Sequence, residues 1–276
     1  MLLAVDVGNT QTVLGLYAGD KLEHMWRMAT NKTFTADELR IKVNALLAAE
    51  RVLPDGVRGM VLASVVPRLT SSWVGVCEKL FTCQPLVVAA EMAMPLFKTS
   101  YSNPAEIGAD RVADAVAAVD LYGAPAIVVD FGTATNIEVV DDQGIFVGGI
   151  IAPGVETSAN ALFSHAARLA AIELLEPPVA IGRTTQEAVQ SGIVLGEAER
   201  VDGLVRRIHA ELGYTTPVIA TGGLAPVISQ TSATITEVNQ ELTLVGLRLI
   251  YESVEKAGET AVGTAAETAG EKTTNQ

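Results

Sequence analysis

Residues 2–17 read LLAVDVGNTQTVLGLY, an apolar run that stops at one carboxylate, Asp6, turns at Gly8-Asn9-Thr10 and resumes at Val13. A charge at the end of a strand bound for a core is costly unless something compensates it. Residues 126–140, AIVVDFGTATNIEVV, repeat the arrangement, with Asp130 ahead of Gly132-Thr133-Ala134. The glycine lets backbone N–H groups approach an anion, the Thr and Asn side chains add donors, and the aspartate can hold a cation or a cation's water. A single copy is equally well a satisfied turn aspartate. Two copies, each opening an α/β stretch, predict two turns that grip one polyphosphate across a cleft, with a metal between or near Asp6 and Asp130.

Around these turns the pattern is α/β and duplicated. Residues 1–18 read as a hairpin, and KLEHMWRMAT (21–30) adds a third strand. A helix capped by Thr35 runs to about Glu50, with Asp37 and Glu38 in its first turn. A buried strand follows at 59–67, a helix at 69–81 and a short strand at 85–91. The stretch 108–123, GADRVADAVAAVDLYG, is helical and closed by Gly123 and Pro125. The chain then restarts with strands at 126–130, 135–141 and 145–150. Helices are expected around 155–169, 184–212 and 240–256, with a strand at PVIAT (217–221). The boundary between lobes is placed near Gly123–Pro125, giving lobes 1–124 and 125–256. From Ala257 the small, polar stretch has no amphipathic period and reads as a disordered tail, 257–276.

Composition narrows the partners. The 276 residues are 49% hydrophobic and 18% charged, enough for a generous core, and aromatics at 5% leave its packing to Val, Ala, Leu and Ile. A net charge of −13 excludes a nucleic-acid backbone as partner, since that needs a basic surface. Cys77 and Cys83, in a stretch that reads as helix, have neither zinc nor redox spacing, and His24, His165 and His209 form no metal pattern. No apolar run nears the ~20 residues that span a bilayer, and Asp6 interrupts the first apolar stretch, so a cytoplasmic protein with no membrane partner is expected.

Paired Asp-Gly hairpins in a duplicated α/β chain resemble the actin-like ATPase and sugar-kinase superfamily. More specifically, AVDVGNTQTVLGL (4–16), NPAEIGADRVADAVAA (103–118), IVVDFGTATNIEVV (127–140), GGIIAPGV (148–155) and IATGGLAP (219–226) resemble type III pantothenate kinases. The resemblance covers residues 1–253 in order and implies two actin-like (ribonuclease H-like) lobes, each a mixed sheet with flanking helices. It implies transfer of phosphate from ATP, with Mg2+, to pantothenate in the first step of coenzyme A synthesis, by a homodimer that needs K+ or NH4+. It also implies site residues. Asp110 is the base for the pantothenate hydroxyl. Asp6, Val7, Gly8, Asn9, Thr10, Gln11, Thr12 and Val13 form the first phosphate loop. Thr133 contacts ATP and Asp130 holds the monovalent cation. Tyr101, Gly108, Ala109, Asp110, Arg111 and Thr185 bind substrate.

The residues by themselves leave alternatives. Asp110 is also a natural N-cap, Arg111 a natural surface partner for Asp114, and Thr185 a natural cap for its own helix. The chain departs from the family pattern at Ser102, Asn160, Arg183-Thr184 and Leu169-Ala170-Ala171. Most of these departures lie in 156–185, the segments that build the dimer interface and substrate lid in the family. A non-catalytic regulatory or ligand-binding paralogue is the alternative function, and a superfamily hydrolase or another small-molecule kinase a third.

Overall fold

The computed structural model describes residues 1–165 and 172–273, with side chains as far as Gly258. Three strands, β1 (Leu2–Val7), β2 (Gln11–Ala18) and β3 (Lys21–Ala29), lead into α1 (Ala36–Ala49). Thr35 caps α1 in a full capping box, its hydroxyl accepting the Glu38 N–H while the Glu38 carboxylate accepts the Thr35 N–H. Next come β4 (Gly59–Ser64), α2 (Pro67–Leu80), β5 (Leu86–Val87), β6 (Lys98–Thr99) and α3 (Ala109–Tyr122). The chain continues through β7 (Ala126–Phe131), β8 (Ala134–Val140), β9 (Ile145–Pro153) and α4 (Val155–His165). It ends with α5 (Thr185–Gln190), α6 (Gly196–Leu212), β10 (Val218–Thr221), α7 (Ala225–Ile228), β11 (Glu237–Val238) and α8 (Leu242–Thr273). A π-helical turn, Ser191–Leu195, joins α5 to α6.

The helix expected over 155–169 is described as α4 (Val155–His165), and residues 166–171, with the rest of that expected helix and the departure at Leu169-Ala170-Ala171, lie outside the described residues. Two expected helices change. The helix carrying Cys77 ends at Leu80, because Thr82 turns left-handed (φ 58°), so Cys83 sits beyond it with its sulfur 3.2 Å from that of Cys77, both thiols free. The last helix continues to Thr273, through the stretch rich in Ala and Glu, which are good helix formers.

The chain packs as two compact units. One comprises Met1–Phe97, Pro104–Val116 and Leu244 onward; the other comprises Lys98–Asn103 and Ala117–Thr243. The sheet of the first has the order β3-β2-β1-β4-β5, with β1 antiparallel to β2 and parallel to β4. In the second the order is β11-β10-β7-β8-β9-β6, with β7 antiparallel to β8 and parallel to β10. Apart from the added two-residue β6, the second sheet repeats the first strand for strand, which is the duplication that the paired turns predict.

In the first unit Leu3, Val5 and Val7 of β1 join Leu14 and Leu16 in a core closed by Leu39, Val43 and Leu47 of α1 and by Leu69, Trp73 and Val76 of α2. Alternation along the strand therefore puts Ala4 and Asp6 on the opposite face. That face is covered by α8: Leu244 reaches Gly15, and the Arg248 guanidinium lies 5.7 Å from the Tyr17 ring centroid. The second unit repeats the scheme. Ile127, Val129 and Phe131 of β7 face a core with Val194, Val201 and Val205, leaving Val128 and Asp130 on the other side. Among the described residues no helix is long and apolar enough to cross a membrane.

Helices α3 and α8 cross backbone to backbone at Gly246, where an added Cβ would come within 2.8 Å of Ala113 Cα and closer still to its carbonyl. Since a packed backbone cannot yield, Gly246→Ala should destabilise the protein by about 1–3 kcal/mol in urea denaturation.

Candidate active site

The first turn closes by a hydrogen bond from Gly8 N–H to the Gln11 carbonyl at 3.0 Å, and register pairs Asp6 with Val13 and Val7 with Thr12. Val7 and Thr12 are buried and Asp6, Gly8 and Val13 half-buried, whereas Asn9, Thr10 and Gln11 are exposed at the tip. A ligand can therefore meet the tip, the backbone behind it and the half-buried Asp6, but not the Val7 or Thr12 side chain. The loop after β3 lies beside this tip: Thr30 N–H donates to the Thr10 carbonyl at 2.8 Å, the Thr12 and Thr30 hydroxyls are 2.8 Å apart, and Lys32 Nζ donates to Asn9 Oδ1 at 2.9 Å.

The start of α3 belongs to the same neighbourhood. Val65, just past β4, donates its N–H to the Val7 carbonyl at 3.1 Å. A Cβ added to Gly108 would lie 3.8 Å from the Val65 side chain and 2.5 Å from Asp110 Oδ1. Gly108 is thus the residue that leaves room for the Asp110 carboxylate. The group sits at the carboxyl ends of the parallel pair β1–β4, where α/β sheets bind ligands.

The N-cap alternative for Asp110 fails, because Val112 N–H bonds the Gly108 carbonyl and so makes Gly108 the cap position. Asp110 is the second residue of α3, within its first turn, accepting the Arg111 N–H at 2.8 Å. Burial pushes its carboxyl above the ordinary aspartate value, and the Arg111 N–H and charge pull partly back. Ala109, Arg111 and Asp114 are all buried, so neither Arg111 nor Asp114 is the surface charge that the sequence alternative supposed.

In the second unit Gly132 N–H closes the turn onto the Ala134 carbonyl. The Asp130 carboxylate is cradled by glycines: a Cβ on Gly222 (φ 89°) would collide with Oδ1, and one on Gly132 would lie 3.3 Å from Oδ2. Backbone can therefore approach this carboxylate, leaving oxygen ligands for a hard cation. The Thr133 carbonyl accepts the Gly154 N–H at 3.1 Å and the Thr157 hydroxyl at 2.6 Å, which ties the turn to the start of α4.

Comparison with known proteins decides the family. The family model described as type III pantothenate kinase matches residues 2–207. A type III pantothenate kinase of Thermomicrobium roseum is 44% identical over 259 residues, 93% of this chain and 99% of that protein. One from Acidothermus cellulolyticus is 46% identical over 252 residues, 91% of this chain and 98% of that protein. The chain belongs to the type III pantothenate kinase family.

Solved structures extend the fold beyond that family. Component A of (R)-2-hydroxyglutaryl-CoA dehydratase from Acidaminococcus fermentans superposes with a TM-score of 0.51 at 13% identity, over 93% of this chain and 98% of that one. A ROK hexokinase from Thermus thermophilus gives 0.50 at 15%, over 92% and 99%. These neighbours share the fold of two duplicated lobes, each a mixed sheet with flanking helices.

One site residue that the family resemblance implies, Tyr101, lies apart from the second turn within its unit. Tyr101 packs edge-on against Phe146 at 5.5 Å, and Phe146 pairs with Val140, at the opposite end of the β8–β9 ladder from Thr135. Thr185 is exposed at the first position of α5. Thr184, not Thr185, is the N-cap, in a capping box with Glu187. The structure also adds a residue with no sequence signal. Glu197 of α6 is buried, accepts the Thr135 hydroxyl at 2.7 Å and pairs with Arg200 at 2.6 Å, and Arg200 in turn donates to the Pro153 carbonyl at 2.9 Å. One carboxylate thereby fastens the start of β8 to the end of β9, directly behind the Asp130 turn. Glu197→Ala strands the Thr135 hydroxyl and the Arg200 charge, and should lower stability by roughly 2 kcal/mol in urea denaturation.

Proposed function

We infer that the chain is an ATP-dependent kinase that phosphorylates the primary hydroxyl of pantothenate, the first step of coenzyme A synthesis. The observation that carries this reading is Asp110, a half-buried carboxylate with a raised pKa beside the ends of β1 and β4 in a member of this family. Asp110 accepts the proton of the attacking hydroxyl, a role that contributes ~10²–10⁴-fold in rate. The turn Asp6–Val13 holds phosphates of ATP through its backbone and exposed tip, and Thr133 contacts ATP from the second turn. Tyr101, Gly108, Ala109, Arg111 and Thr185 hold pantothenate.

Among the described residues no three His, Cys, Asp or Glu side chains gather into a metal cage. That suits Mg2+, which keeps its waters and binds through one or two carboxylates and the phosphates of its nucleotide, here with Asp6 as the protein ligand. When bound, the ion neutralises charge that builds on the phosphates. Asp130, cradled by Gly132 and Gly222, is the ligand for K+ or NH4+. A cytoplasmic location suits ATP as donor.

A homodimer is supported by the second unit's apolar surface. Val147, Ile151 and Leu162 are exposed on β9 and α4, with Ile151 at 67%. Strand β6 pairs with Ile145 and Phe146, and among the described residues the rest of that edge of β9 has no strand beside it.

Purified protein should release ADP only when ATP and pantothenate are both present, with stimulation by K+ or NH4+. Asp110→Asn should lower kcat by ~10²–10⁴-fold. The parent kcat/KM should rise with pH through a limb above the ordinary aspartate range, since the base works only when ionised. The folded state holds the Asp110 proton more tightly than the unfolded chain, so the ionised group costs stability that is regained as pH falls through its raised pKa. Asp110→Asn should therefore be at least as stable as the parent near neutral pH. Pantothenate binding without turnover by the parent would return the chain to the non-catalytic reading. Light scattering should give a dimer mass for the parent and a monomer mass for Ile151→Asp; a monomeric parent at micromolar concentration would overturn the dimer.

A further inference from the structure

The loop between β3 and α1 brings a lysine to the first phosphate turn by a route that the motif does not contain. Strand β3 ends opposite the start of β2, Ala29 pairing with Gln11, so the next residues emerge alongside Asn9 and Thr10. The loop is fixed there. Its backbone is bonded to the turn at Thr30, and Asn31 Oδ1 accepts both the Thr33 N–H at 3.0 Å and the Thr33 hydroxyl at 2.7 Å. Phe34 N–H returns to the Asn31 carbonyl at 3.1 Å, the Phe34 ring packs on the first core, and its carbonyl accepts the Ser72 hydroxyl. A loop closed on itself at 31–34 and anchored at both ends presents Lys32 from a defined position.

The partner of that lysine is chemically telling. Lys32 Nζ donates to an amide oxygen, Asn9 Oδ1, and among the described residues it makes no ion pair with a carboxylate. In a chain of net charge −13 an exposed ammonium is easily matched with an acid, and this one is instead directed at the tip of the phosphate turn. An amide oxygen is a weak partner for an ammonium beside a phosphate oxygen, since hydrogen bonds between two ionised groups are the stronger kind. Asp6, behind the turn, adds negative charge at the place where a polyphosphate must bind, so a cation is needed there to hold the anion and to steady charge as phosphate is transferred.

We propose that Lys32 is a phosphate-binding residue for the nucleoside triphosphate: its ammonium leaves Asn9 Oδ1 and bonds a phosphate oxygen held at the Gly8–Thr10 turn. The assignment rests on the kinase reading for the presence of a triphosphate but not on the identity of the acceptor. Lys32 is exposed and buries nothing, so its substitution leaves the fold intact.

The test compares the parent, Lys32→Gln and Lys32→Arg. Affinity for a nonhydrolysable ATP analogue with Mg2+ is measured by calorimetry without acceptor, and KM for ATP and for pantothenate by ADP release. Lys32→Gln should weaken the analogue and raise KM for ATP about tenfold, the loss of one charge-assisted hydrogen bond, with KM for pantothenate unchanged. Lys32→Arg should recover most of that affinity, and melting temperature should stay at the parent value in both. Unchanged analogue affinity in Lys32→Gln overturns the proposal, as does a fall matched by a lowered melting temperature and not recovered by arginine. If the parent binds the analogue but does not phosphorylate pantothenate, the acceptor reading fails while the Lys32 result stands by itself. A parent that does not bind the analogue overturns both.

Discussion

A carboxylate at the end of a buried strand, followed at once by a glycine turn, is the constraint on which both sheets are built. Asp6 and Asp130 occupy equivalent places, each on the face of its sheet opposite the main helical core and each next to the last position of the central parallel strand. Desolvating such a group without compensation is expensive, so the surroundings must either neutralise it or leave it open to a ligand. At Asp130 the answer is geometric. Gly132 and Gly222 place backbone and no side chain of their own beside its oxygens, and Gly222 adopts a left-handed φ that other residues resist. Such a glycine cradle suits a hard cation, which wants oxygen ligands.

The repeated strand order explains why the second copy is built from such different neighbours. Both units set an antiparallel hairpin beside a parallel strand, and this arrangement alone fixes where the turn emerges. What differs is the fastening. The first turn is held from outside by the loop after β3, through the Thr30 backbone and hydroxyl. The second is held from behind, by Glu197 under β8 and by Thr157 and Gly154 on the Thr133 carbonyl. The buried acid at Glu197 is tolerated because Thr135 and Arg200 satisfy it, and the same satisfaction makes the start of β8 rigid.

Much of this was legible in the sequence for a local reason. The hairpins 2–18 and 126–140, the strand 21–29, the capping box at Thr35 and the helix from Ala109 to Tyr122 are all specified by neighbouring residues: alternation, turn chemistry and caps. Contacts between distant segments left no such trace. Nothing in LTLVGLRLI (242–250) says that Gly246 meets Ala113 or that Leu244 covers Gly15. Two-residue strands such as β6 have no period to read, and their pairing is visible only in the fold. The same holds for the candidate site. Asp6, Gly8, Asp110 and Asp130 announce themselves by motif, whereas Glu197 and Lys32 matter through partners 62 and 23 residues away.

The departures from the family pattern can now be weighed by what each side chain does. Thr184, one of the departures, caps α5, accepting the Glu187 N–H while Glu187 accepts the Thr184 N–H. Threonine is a good N-cap. The departure therefore secures the helix start and keeps Thr185 at its first position with its hydroxyl outside the capping interaction. Ser102 and Asn160 are exposed. A chain can vary at these positions and retain the candidate phosphoryl-transfer groups, because those groups are placed by strand ends and backbone approach, which depend on glycines and register rather than on the side chains that differ.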